Sequence, residues 1–101
     1  MHLSITAGLM SVTGEISIDD VGEFSKGLQD LLGTEADSYV IDLTRVAYMS
    51  SACMGAFAHR ISEHQGQISR IAIRARQNVA RVIERSGLAD HITLEIVSEG
   101  A

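Results

Sequence analysis

Hydrophobic residues recur along the chain with two periods, and the points where one period gives way to the other mark its elements. Leu3, Ile5 and Ala7 alternate with polar residues, as on a half-buried strand. Met10, Val12, Ile16 and Ile18 alternate again after a turn near Gly8, so the two runs predict a hairpin or adjacent strands. Asp19-Asp20 then opens a helix: Asp20 is placed to cap it, and Glu23 stands three residues on, close to capping-box spacing. Val21, Phe24, Leu28 and Leu31 follow at helical spacing, and Gly33 ends the run. Tyr39-Val40-Ile41-Asp42-Leu43 is a short, nearly continuous apolar run rich in β-branched residues, the pattern of a central buried strand.

After Ser50-Ser51 the period changes again. Met54, Phe57, Ala58 and Ile61 lie on one face of a helix predicted to stop near Gly66. Ile71 and Ile73 alternate with Arg70, Ala72 and Arg74 as another strand, and Val79, Val82 and Ile83 make a third helical stripe that Ser86-Gly87 ends. Ile92, Leu94 and Ile96 alternate as a last strand. The order is β-β-α-β-α-β-α-β. Helices between strands imply right-handed crossovers and a largely parallel sheet. At 101 residues the chain is too short to wrap helices round both faces of a large sheet, and it holds one domain, 1–101, with one core.

Composition narrows the function. An apolar fraction of 46% and a charged fraction of 21% are ordinary for a folded globular protein and argue against disorder. The net charge of −5 gives no attraction to nucleic acid or anionic lipid as a whole. Its distribution is uneven: eight of thirteen acids lie at or before Asp42, and six of eight basic residues lie between Arg60 and Arg85, which suggests an acidic and a more basic side unless the charges form a mixed solvated surface. There is no proline, so turns rest on Gly, Asp, Asn and Ser. The single cysteine, Cys53, forms no internal disulfide and fits a reducing compartment. No apolar stretch reaches the ~18 residues of a membrane span, and Met1-His2-Leu3-Ser4 is not followed by a signal-peptide pattern. The expectation is a cytoplasmic protein with no membrane insertion.

No constellation for catalysis is present. GxGxxG and Walker loops are missing, His59 and His64 are five apart on one helix and so share no face, and no Cys or His pair has metal-ligand spacing. No catalytic residue, cofactor or metal is expected. Cys53 reads as a small buried hydrophobe. The four arginines from Arg74 to Arg85 could touch phosphates, but without interleaved aromatics they read as a solvated helix face, and no nucleic acid partner is expected.

The informative segment is Met49-Ser50-Ser51-Ala52-Cys53-Met54-Gly55, which joins a buried strand to a helix. Either serine can be the N-cap, accepting a bond from a free backbone N–H. The same helix end also tolerates a phosphate, because its N–H groups are unpaired and its dipole is positive there.

At this point the chain resembles a known family. Val40-Ile41-Asp42-Leu43-Thr44-Arg45-Val46-Ala47-Tyr48-Met49-Ser50-Ser51-Ala52 is similar to the signature of STAS domains, in which a strand reading Val-Leu-Asp-Leu-Ser leads to a loop reading Asp-Ser-Ser-Gly. Gly14-Glu15-Ile16 resembles the Gly-Glu-Leu of the second strand, and Val79 to Leu88 resembles the family's Val-x-x-x-Leu-x-x-x-Gly-Leu. The loop departs from the pattern at Ser50, Ala52 and Cys53.

The resemblance implies an α/β STAS fold: a mixed sheet of four to five strands with three main helices packed on one side. It also implies a role of the anti-sigma factor antagonist type. Such a protein binds an anti-sigma factor that is also a serine kinase, phosphorylation of the loop serine ends that binding, and a serine phosphatase restores it. The phosphorylated serine falls on Ser51, with Ser50 as rival. The expected partner surface is the helix opening at Ser50 and Ser51 and its exposed side at Gly55, His59 and Ser62. A glycine inside a helix is destabilising by about 1 kcal/mol relative to alanine, so Gly55 suggests close approach by another surface or by the adjoining loop. The alternative role is a constitutive STAS scaffold or accessory subunit of a transporter or sensory complex.

Overall fold

The computed structural model of the chain describes residues 1–97, apart from the side chains of Gln65, Gln67, Ile68 and Ala89. The order of main elements is β1 (His2–Thr6), β2 (Leu9–Ile16), α1 (Val21–Leu32), β3 (Tyr39–Met49), α2 (Ser51–Ser62), β4 (Ile71–Arg76), α3 (Gln77–Arg85) and β5 (Thr93–Val97), with short 3-10 turns at Ile18–Asp20, Gln65–Arg70 and Leu88–Asp90. The five strands lie in chain order, β1-β2-β3-β4-β5. β1 runs antiparallel to β2, and every other neighbouring pair is parallel. Three successive right-handed crossovers between adjacent parallel strands put all three helices on one face. Tyr39, Ile41 and Leu43 of β3 and Ile71, Ile73 and Ala75 of β4 point into that face and are buried, meeting Phe24 and Leu28 of α1, Phe57 and Ile61 of α2, and Val79 and Ile83 of α3.

The opposite face of the sheet carries no helix and is polar. Arg74 of β4 pairs with its cross-strand neighbour Glu95 of β5 at 3.1 Å. Asp42 accepts from the backbone N–H and the hydroxyl of Thr44, at 2.9 and 2.7 Å, and Arg76 donates to the Thr44 carbonyl at 2.8 Å.

The β1–β2 connection is Ala7-Gly8, with Thr6 paired to Leu9. Both residues have positive φ, +30° and +83°, as a two-residue hairpin of type I′ requires. Ala7 therefore does not continue the alternation of β1; it is a turn residue. Gly8 is also buried against the strand that follows α1: its carbonyl accepts from Val40 N at 2.8 Å, and a Cβ on it would stand 2.9 Å from the Ser38 carbonyl oxygen. Gly8→Ala is expected to destabilise the protein by about 1–3 kcal/mol, from the left-handed backbone and that contact together. Ala7→Asn, which restores the preferred Asn-Gly pair, is expected to raise stability. Urea unfolding of the two variants should move the midpoint in opposite directions.

Other expectations from the pattern are corrected. Ile18 is not a strand residue; it begins the 3-10 turn after β2 and is 67% exposed. Asp20 does not cap α1. Its carboxylate turns back to Ser17 and accepts from that residue's N–H at 2.9 Å and hydroxyl at 3.0 Å. These two bonds hold the Asp20 carboxyl below the usual carboxylate range. β3 runs past Leu43 to Met49, because two register shifts against β2 let Val46 and Met49 return to the core face. α2 ends at Ser62, before Gly66, which lies in the following 3-10 turn. In β5 only Leu94 of the alternating set packs on the core within the strand; Ile92 packs just before it, and Ile96 is 52% exposed on this edge strand.

Candidate functional site

β2 and β3 end side by side, and their ends build the entrance to α2. Ser50 N–H donates to the Ile16 carbonyl at 2.8 Å, which ties the end of β3 to the end of β2. Ser50 is in extended conformation and its Oγ accepts from Ala52 N–H at 3.2 Å, so Ser50 is the N-cap. Its backbone carbonyl accepts from Cys53 N–H at 3.0 Å. The residue is 9% exposed, with its hydroxyl committed to the cap. Ser51 is the first residue of the helix and is exposed. The choice between the two serines that the spacing left open is thereby divided by geometry: one caps, the other faces out.

Cys53 lies below them in the core. Its thiol donates to the Ser17 carbonyl at 3.3 Å, joining α2 to the turn after β2. Burial first, and the Asp20 charge second, push the thiol above its ordinary pKa, so it stays protonated and unreactive at neutral pH.

Ser51, Gly55, His59 and Ser62 fall at successive helical turns and form one exposed ridge along α2. The ridge is almost uncharged. Ser62 Oγ donates to the His59 carbonyl at 2.7 Å, and His59 Nε2 stands 3.7 Å from Glu63 Oε1. Among the described residues, nothing beyond its chain neighbours and the helix's own backbone lies within 4 Å of the position a Cβ on Gly55 would take, so the ridge is open there.

The two flanks of this ridge differ. On one side α2 is joined to α1: Arg60 Nε donates to Ser25 Oγ at 2.8 Å, and below that bond Phe24 and Phe57 meet edge to face. On the other side α2 and α3 stand apart over a cleft of about 440 Å³, with Met54, Ala58 and Val82 as floor and Ser51 and Arg85 on its walls. A second hollow of about 840 Å³ continues it past Ser62 towards Leu88 and His91. Exposed Asp19 and Glu23 lie before and on α1 beside exposed Lys26, and exposed Arg81 and Arg85 lie on α3 beside exposed Glu84, so both helices carry mixed charge.

Sequence reasoning missed the α3 wall. Val82 had the spacing of a core residue, but it stands at the margin of its stripe and is only half-buried. It also missed Tyr48, 54% exposed two residues before Ser50, and the exposure of Ile18, which the contact between the ends of β2 and β3 brings to the same end of the sheet. An apolar residue one or two positions from a polar helix start was the available signal for both.

Among the described residues no group of three His, Cys, Asp or Glu side chains could hold a metal ion, and no helix is long and apolar enough to cross a membrane.

Comparison with known proteins places this geometry. A family profile described as "Mlab, STAS domain" matches residues 3–97. No curated protein sequence matches the chain. Among solved structures, an anti-sigma factor antagonist from Mycobacterium paratuberculosis is similar with a TM-score of 0.75 at 20% identity, over 95% of this chain and 84% of that one. The anti-sigma factor antagonist SpoIIAA in its unphosphorylated form is similar with a TM-score of 0.70 at 16% identity, over 92% and 85%. SiaC of Pseudomonas aeruginosa gives 0.62 at 20% identity, over 92% and 84%. At these identities the likeness is one of fold.

Proposed function

The chain belongs to the STAS domain family, and from that premise we propose that it is a regulatory protein-binding switch of the anti-sigma factor antagonist type, controlled by reversible phosphorylation of Ser51. It acts in the cytoplasm as a single domain, by association and not by catalysis. Its partners are an anti-sigma factor that is also a serine kinase, and a serine phosphatase. The observation that carries this reading is the division of labour between the two serines: Ser50 is buried and capping, while Ser51 presents a free hydroxyl at the head of an open, nearly uncharged ridge. A flat ridge of small side chains suits close docking by a partner backbone or side chain. A phosphate on Ser51 adds about −1.5 to −2 charges at its end without disturbing the core.

Intact-mass analysis of the protein purified from its own host tests the modification. One added phosphate is expected, and it should vanish in Ser51→Ala. A phosphate that persists in Ser51→Ala and is lost in Ser50→Ala would move the site by one residue. No phosphate on either serine would leave a constitutive scaffold or accessory subunit of a transporter or sensory complex as the function of this ridge.

The ridge itself is tested by Gly55→Arg. A Cβ at this position has open space around it, residue 55 is exposed, and arginine favours a helix interior over glycine by up to about 1 kcal/mol, so the thermal midpoint should hold or rise. Binding to the kinase partner should fall sharply in calorimetric titration, because the long side chain stands where the partner must approach. Normal affinity in a folded Gly55→Arg protein would take Gly55 out of the interface.

A further inference from the structure

We propose that Arg85 is the internal counter-ion of phosphorylated Ser51, closing the α2–α3 cleft when the phosphate is present; the proposal rests on Ser51 being the modified residue. Ser51 and Arg85 both line one cleft between α2 and α3, and among the described residues Arg85 is the only charged side chain that lines it. Arg60 is held by Ser25 and Glu63, Arg74 by Glu95, and Arg76 by the Thr44 carbonyl. Arg85 has no such bond among the described residues and is free to turn.

Ser51 opens α2 and Arg85 closes α3, so the pairing depends on which way the Arg85 side chain leans. α2 and α3 each follow a parallel strand of one sheet, so they run the same way, and their first turns lie towards the same end. Side chains lean towards the N-terminus of their own helix, so Arg85, the last residue of α3, leans back along the cleft towards the end where Ser51 stands. An unmodified hydroxyl offers Arg85 little. A phosphate offers three strong acceptor oxygens to a planar fork of donors, in a trough whose apolar floor screens the pair less than open water does.

The consequence is steric as well as electrostatic. A guanidinium drawn over to Ser51 crosses above Met54, Ala58 and Val82 and covers the apolar floor. Phosphorylation would then remove two things from a partner at once: the neutral head of the ridge and the cleft beside it.

The test needs no partner. Phosphoserine is installed at position 51 by genetic encoding, in the wild-type background and with Arg85→Gln, Arg85→Lys or Arg81→Gln. The second ionisation of the phosphate, near pH 6, is followed by phosphorus NMR. The wild-type phosphate should titrate lower than that of Arg85→Gln by about half a pH unit or more, with Arg81→Gln close to wild type and Arg85→Lys between. The end of α2 acts on the phosphate equally in all four proteins, so the difference isolates Arg85. The Arg85 side-chain N–H resonance should shift through the same titration. Identical titration in wild type and Arg85→Gln would overturn the clamp, and so would an equal shift from Arg81→Gln, which would mean a diffuse field. Arg85 is exposed and makes no internal bond, so the variants should fold, and circular dichroism checks this. The titration reads only the clamp and partner binding reads only the switch, so the two proposals fail separately.

Discussion

Ser51→Asp is expected to bind the proposed kinase partner about a hundredfold more weakly than wild type while unfolding at the same temperature. The fold has no reason to object to the carboxylate. Ser51 is exposed, it is not the cap, and a negative charge in the first turn of a helix is favourable by about 0.3–1 kcal/mol. The partner has every reason to object. A surface that covers a neutral hydroxyl must, on meeting the variant, desolvate a charge with no matched cation, at a cost of several kcal/mol, and roughly 3 kcal/mol already weakens binding a hundredfold.

Two companions sharpen the result. Ser51→Ala should bind constitutively with unchanged stability, because the capping bond belongs to Ser50. Ser50→Ala should lose about 1 kcal/mol of stability from the cap yet remain switchable. Titration calorimetry for affinity and urea melts for stability separate the three. Wild-type affinity in Ser51→Asp, together with no phosphate on either serine, would end the switch reading.

Phe57→Ala is expected to destabilise the protein by about 3–5 kcal/mol, a large part of the roughly 5–15 kcal/mol typical of a domain. Phe57 and Phe24 are fully buried, with ring centroids 5.5 Å apart and planes at 66°, an edge-to-face pair. They hold α1 against α2 beneath the exposed ridge of α2. Deleting one ring removes its transfer energy, leaves a cavity, and orphans the other ring's edge contact, worth about 0.5–1.5 kcal/mol beyond area. The urea midpoint should fall accordingly, and the double variant with Phe24→Ala should lose less than the sum of the singles. A loss under about 1 kcal/mol for Phe57→Ala would show that α1 and α2 close up over the gap. Arg60 and Ser25, which join the same helices at the surface, would then be the main link between them.

Much of this was legible in the chain, for a physical reason. Whether a side chain faces a core is repeated locally, every two residues on a strand and every three to four on a helix, so the burial of Met10 and Val12, of Phe24, Leu28 and Leu31, and of Ile71 and Ile73 is written in their spacing. The run of hydroxyls after a buried strand likewise announced a helix start, and the signature around Asp42 and Ser51 announced the family. The ridge Ser51, Gly55, His59 and Ser62 follows from the same helical period once its opposite face is known to be core.

Only the tertiary structure decided the rest, because it depends on contacts between residues far apart in the chain. Ser50 became the cap because its N–H is tied to Ile16 at the end of β2, which leaves Ser51 outside. Ile18 and Ile96 kept the alternating pattern and lost their cover, one to a turn and the other to the edge strand of the sheet. β3 could return Val46 and Met49 to the core only through register shifts against β2. Val82 and Arg85 came to line a cleft because α3 stands off from α2, where α1 is pulled in by an aromatic pair and an arginine. Spacing reports which way a residue points along its own element; which element stands opposite, and how close, is set by packing across the whole core.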